Sequence, residues 1–159
     1  MTGDQVVAHF DGVADVYDQV LPFFADFADA AVRRIAPAPG TRVLDLAAGR
    51  GAFTDKVLDR GCEVTAVDGA PRMIELFKAD HPGVDSYVMD AARLDFAADT
   101  FDLVVCGFAI HIIPDPYAAL AEAVRVVKRL RDLEVCSVGV LAGGVASRVW
   151  RSRAGGILG

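Results

Sequence analysis

Val43-Leu44-Asp45-Leu46 runs into Ala47-Ala48-Gly49-Arg50-Gly51, and the reading of this stretch decides the fold. A short segment that is apolar apart from one acid reads as a buried strand. The two glycines after it let the backbone turn sharply and approach a ligand closely. A helix is expected from near Ala52 to just before Gly61, a residue suited to the left-handed position past a helix end. Val64-Thr65-Ala66-Val67 then reads as a second strand, ending at Asp68, nineteen residues after Gly49. An acid at that place can accept hydrogen bonds from a ribose diol. Strand, glycine loop, helix, strand and terminal carboxylate together predict a nucleoside-binding half of a Rossmann-like sheet.

A lone GxG leaves the nucleoside open, so its surroundings have to choose. A dinucleotide fingerprint asks for a third small residue, and that place holds Thr54. Asp45, just before the loop, would repel a pyrophosphate, which prefers backbone donors and a helix N-terminus. S-adenosylmethionine carries an ammonium and a sulfonium, and an acid attracts both. A nicotinamide oxidoreductase is therefore disfavoured on these two residues.

The segments VLDLAAGRGAFT (43–54), VTAVDGAPRM (64–73), DAARLDFAADTFDLVV (90–105) and AIHIIPDP (109–116) resemble the class I SAM-dependent methyltransferases. The likeness is strongest to the small-molecule type related to quinone-biosynthesis methyltransferases, and covers roughly residues 6 to 128. The resemblance implies an acid near the methionine moiety, a loop backbone passing under it, and a second acid on the ribose. These fall on Asp45, on Ala47, Gly49 and Gly51, and on Asp68. Adenine contacts are implied at Gly69, Ala70, Met73, Asp90 and Ala91. Ala47 stands where the family usually has its first glycine. Ala70 stands where the family often has a capping serine, whose loss removes a cap worth about 1 kcal/mol.

Elsewhere the chain alternates helical and strand patterns. Val6 to Tyr17 is a short helical candidate; Phe23, Phe24, Phe27, Ala30, Ala31, Arg34 and Ile35 fall at helical spacing until Pro37 and Pro39-Gly40 stop the run. The family resemblance implies that such helices lie over the cofactor, making Phe10, Tyr17, Phe23 and Phe24 pocket candidates. Val84 to Met89 and Phe101 to Cys106 read as the third and fourth strands. Asp115-Pro116 opens a helix with an N-cap acid and proline at its first position, and Leu120, Ala123, Val124 and Val127 give it an apolar face. The expected fold is α/β, a Rossmann-like, mostly parallel sheet with helices on both faces and a crevice at the strands' carboxyl ends. Residues 1–40 form a helical cap, 41–128 the cofactor-binding core and 129–159 a divergent tail.

Methyl transfer from a sulfonium is an in-line displacement, so the protein chiefly aligns donor and acceptor and excludes water. Where the acceptor is a phenol, enol or amine, a base near the methyl would help. His111, just past the fourth strand, is the candidate; His9 is a weaker one, and His81 beside Pro82-Gly83 reads as a surface turn residue.

The 159 residues make one domain, and a net charge of −6 argues against nucleic acid, leaving a small-molecule acceptor as the expected partner. Cys62, Cys106 and Cys136 are widely separated and lie in or beside apolar runs, which suggests reduced core thiols and no metal site. The N-terminus lacks a signal-peptide pattern, and the apolar stretch Val135 to Ser147 is too short for a membrane span, so a soluble, cytoplasmic protein is expected.

After Lys128 the pattern breaks. The family expects Pro-Gly-Gly and another strand, whereas the chain continues Arg129-Leu-Arg-Asp-Leu-Glu, and the net charge switches from −9 over residues 1–128 to +3 over 129–159. Leu133 to Val140 reads as a fifth strand, with the family's C-terminal β-hairpin missing. A bare edge there would invite pairing with another copy. The break also fits a shifted reading frame, or a truncated SAM-binding protein without turnover.

Overall fold

The computed structural model describes residues 2–17, 23–129, 132–141 and 144–151. Its strands are β1 (Arg42–Leu46), β2 (Glu63–Asp68), β3 (Asp85–Val88), β4 (Leu103–Gly107), β5 (Leu133–Leu141) and β6 (Gly144–Arg151). They form one sheet in the order β3-β2-β1-β4-β5-β6. All neighbours are parallel except β5 and β6. The helices are α1 (Gly3–Val13), continued by a 3-10 turn at Ala14–Val16, then α2 (Phe23–Ile35), α3 (Ala52–Leu58), α4 (Pro71–Asp80) and α5 (Pro116–Val126).

The period-two alternation of strand side chains sorts β1 onto two cores. Leu44 and Leu46 join Val67, Val104 and Cys106 under Ala123 and Val126 of α5. Val43 joins Leu103 and Val105 on the other face, under Ala28, Ala31 and Val32 of α2 and Phe53 and Val57 of α3. Helices thus cover both faces, as parallel strands require. The stripes differ in detail from the sequence expectation: α2 buries Ala28 and Val32 beside Ala31, and α5 buries Ala119 and Val126 while Val124 stays exposed.

β5 forms where a fifth strand was expected, pairing Val104 with Leu133 and Gly107 with Cys136. The edge expected to be bare is not: β6 returns antiparallel, with Glu134 opposite Arg151 and Leu141 opposite Gly144. Residues 144–151 were not read as a strand although Gly143-Gly144 is a turn signal, because Gly, Ala and Ser interrupt the apolar pattern there. Among the described residues β6 is the single antiparallel strand. Residues 152–159 of the tail lie outside the described residues. Cys62 and Cys106 are both buried.

Candidate functional site

β1 pairs with β2 on one side and β4 on the other, so the chain reverses its winding direction between β1 and β4. Loops leaving the carboxyl ends of such strands diverge and open a crevice. Here the crevice is a cavity of about 430 Å³. Ala47 and Gly49 after β1, Asp68 to Ala70 after β2, Met89 to Ala92 after β3, and Gly107 to Ala109 after β4 line it, and α1 covers it with Val6, Val7 and Phe10.

The glycine loop takes its shape from left-handed backbone at three places: Ala47 (φ 58°), Gly49 (φ 55°) and Gly51 (φ 93°). Gly51 is also the N-cap of α3. A β-carbon there would lie 2.7 Å from His81 and 2.9 Å from Phe77, so only glycine fits. Gly51 shapes the loop without lining the cavity.

Asp68 ties the loop to the next turn. One carboxylate oxygen accepts the Gly49 amide at 2.9 Å and the other accepts the Ala70 amide at 2.9 Å. Asp68 lines the cavity, and a carboxylate oxygen can accept more than one hydrogen bond, which is what a ribose diol needs. Burial pushes the Asp68 carboxyl up, the amides of Ala70 and Gly49 pull it down, and the charge of Asp11 raises it further.

Asp45 is buried at 2% exposure and accepts the Thr54 hydroxyl at 2.8 Å. Burial raises its carboxyl to about 6, against the opposing pull of Thr54. It does not reach the large cavity. It borders a small side pocket of about 40 Å³, shared with Tyr17, Phe24, Ala47, Gly49 and Phe108. Thr54, noted in the sequence as the wrong residue for a dinucleotide, is the partner that satisfies this acid.

Of the other expected residues, Ala47, Gly69, Ala70, Met73, Asp90 and Ala91 all line the cavity. Met73 does so while 1% exposed, serving core and site together. Asp90 accepts the Ala92 amide at 2.9 Å. The loop behind it is pinned by Arg125, which donates to the carbonyls of Phe96 and Leu94. His111 is not brought in. Ile112 and Ile113 both bond back to the Ala109 carbonyl, a tight turn that puts those two residues on the cavity and leaves His111 exposed. The structure therefore gives the expected base no contact with the site.

Phe10 and Tyr17 line the cavity as expected. Phe24 sits on the side pocket, its ring 5.6 Å from Tyr17 and 4.8 Å from Phe108. Phe23 stands 48% exposed, edge-on to Phe24. Phe108, held at φ 60°, was absent from the sequence reading, as were Ile112 and Ile113. His81 is a correction: its side chain is 9% exposed and stacked on Phe77, so it is no surface turn residue.

Among the described residues, Asp4, Asp68, Asp90 and Asp115 line the large cavity and no lysine, arginine or histidine does. These carboxylates disfavour a phosphate-bearing ligand and favour a cation. This donor set fits a cationic adenosine cofactor.

The fold and site define a class, and the chain belongs to it: the Methyltransferase domain family matches residues 44–130. Within that family it is similar to the demethylmenaquinone methyltransferase of Renibacterium salmoninarum, 36% identical over 130 residues, 79% of this chain and 55% of that protein. It is also similar to the aklanonic acid methyltransferase DauC of a Streptomyces species, 35% identical over 127 residues, 74% of this chain and 57% of that one. In fold it resembles the [4+2]-cyclase SpnF, with a TM-score of 0.77 at 20% identity, covering 87% of this chain and 61% of that one. The chain spans about half the length of the curated relatives it matches. S-adenosylmethionine is the cofactor of the class.

Proposed function

We propose that this chain binds S-adenosylmethionine in the large cavity and directs its methyl group to a small organic acceptor. The single observation that carries the reading is the lining charge, four aspartates and, among the described residues, no basic side chain. It supports a cationic cofactor and opposes the pyrophosphate of a nicotinamide cofactor. Asp68 would hold the ribose hydroxyls; Gly69, Ala70, Met73, Asp90 and Ala91 would enclose the adenine; Ala47 and Gly49 would receive the methionine end where the cavity meets the side pocket that Asp45 borders.

The sulfonium supplies its own leaving group when bound, so the chain's part is alignment and exclusion of water. Val6, Val7 and Phe10 of α1 close the cavity from above, and Ile112 and Ile113 wall it beside β4. Tyr17, Phe24 and Phe108 form an apolar, aromatic boundary on which a small acceptor would rest. No proton-transfer step is assigned to His111, which would have to enter through movement of its loop. None of the described helices is long and apolar enough to cross a membrane.

Calorimetric titration with S-adenosylhomocysteine and with NAD tests the cofactor. Saturable binding of the first alone is expected, and tight NAD binding with no response to S-adenosylhomocysteine would overturn the reading. Turnover is tested by release of S-adenosylhomocysteine in the presence of a panel of phenols, quinols and amines. Binding without release on any acceptor would reduce the chain to a SAM-binding protein.

A further inference from the structure

The residues at the two ends of α4 face different parts of the cofactor site. Gly69, Ala70 and Met73 at the N-terminal end line the cavity. At the other end, Asp80 and the following His81 reach the glycine loop. Arg50 of the loop pairs with Asp80 through Nε at 3.1 Å and through its terminal nitrogen. The His81 ring lies against Gly51, where a β-carbon would come within 2.7 Å of Cε1.

His81 is held there from three directions. Its Nε2 is 2.7 Å from Asp55 Oδ1, in the first turn of α3. Its Nδ1 is 3.2 Å from the Phe77 carbonyl, one turn back in α4. Its ring stacks on Phe77 with centroids 4.4 Å apart at 28°. A surface histidine would spend rotamer freedom on none of this. The contacts bracket Gly51 between the start of α3 and the end of α4, so the loop cannot drift without breaking them.

We propose that His81 is a positioning residue for cofactor binding: bridged to Asp55, it sets the height of the Gly49–Gly51 loop relative to the adenosine-binding end of α4. The proposal rests on the SAM-binding reading above. Gly49 is the loop residue that both lines the cavity and donates to Asp68, so a shift of the loop is felt at the ribose position.

The test compares S-adenosylhomocysteine affinity with stability in the same samples of the full chain. His81→Phe keeps a ring on Phe77 and beside Gly51 but cannot bond Asp55. It is expected to keep the parent's circular dichroism and to bind S-adenosylhomocysteine about tenfold more weakly, the size of one lost charge-assisted hydrogen bond. Parent-like affinity would mean that ring packing alone matters, and would overturn the proposal. Should His81→Phe fail to fold, Asp55→Ala decides, since Asp55 is 59% exposed and alanine suits a helix. Severalfold weaker binding at unchanged melting temperature supports the bridge; unchanged binding refutes it. Absence of S-adenosylhomocysteine binding by the parent chain would overturn the cofactor reading itself.

Discussion

The carboxylate of Asp11 accepts the backbone amide of Arg72 at 2.8 Å, so a residue sixty-one positions away caps the N-terminus of α4. The α4 N-cap, Ala70, makes no side-chain cap bond of its own. The cap missing from the local sequence is thus supplied by α1, the helix that covers the cavity. Arg72 also pairs with Asp15 at 2.6 Å, and Arg50 donates to the Ala14 carbonyl at 3.4 Å, so covering segment and cofactor site are joined at several points.

Asp11→Ala should cost about 1 kcal/mol of stability, the usual worth of a helix cap. Urea denaturation gives the value. Adding Ala70→Ser in the same background restores a cap from the local position and should recover part of the loss. A midpoint unmoved by Asp11→Ala would make the contact idle.

Asp68→Ala should weaken S-adenosylhomocysteine binding by about 1 to 3 kcal/mol, because it strands the Gly49 and Ala70 amides and removes the expected ribose acceptor. Titration well below the melting temperature separates this from loss of fold. Unchanged affinity would leave Asp68 as a turn residue only.

Ala47 sits at φ 58°, where a β-carbon strains the backbone by about 1 to 2 kcal/mol. Glycine relieves that strain while adding unfolded-state entropy worth about 0.4 to 1 kcal/mol. The strain is the larger quantity, so Ala47→Gly should raise the melting temperature. A fall would show that the loop had already relaxed around alanine.

The parallel sheet was legible because β1, β2 and β4 are short, largely apolar runs, and because Gly49, Asp68 and Asp90 fall at or just past strand ends that the topology gathers into one crevice. What escaped had no local signal. Asp11 looks like any solvated acid on a helix, and only docking of α1 aims it at Arg72. Thr54 was read for what it was not, yet its hydroxyl answers a carboxylate nine residues earlier. His81 follows a helix and precedes Pro82-Gly83, a pattern that says surface, while tertiary packing buries its ring. His111 is exposed for a reason equally remote from the sequence, since a turn on the Ala109 carbonyl decides which neighbours face inward.

Asp45 carries the clearest pH dependence. Burial raises its carboxyl from the usual 3.8 to about 6, with Thr54 opposing. A carboxyl raised on folding holds its proton longer in the folded chain than in the unfolded one. Its contribution is therefore fully present below about pH 3.8 and is lost as the pH climbs to about 6, a change on the order of 3 kcal/mol. Asp45→Asn keeps an oxygen for the Thr54 hydroxyl but cannot ionise. Its stability relative to the parent should rise across that window and then level off, which denaturant midpoints from pH 4 to 8 measure. A cationic cofactor acts the other way, since it favours the ionised acid. Binding of S-adenosylmethionine to the parent should weaken as the pH falls below about 6, and this weakening should be absent in Asp45→Asn. Identical pH profiles for parent and variant would remove Asp45 from the recognition of the cofactor's charge and leave it a structural partner of Thr54.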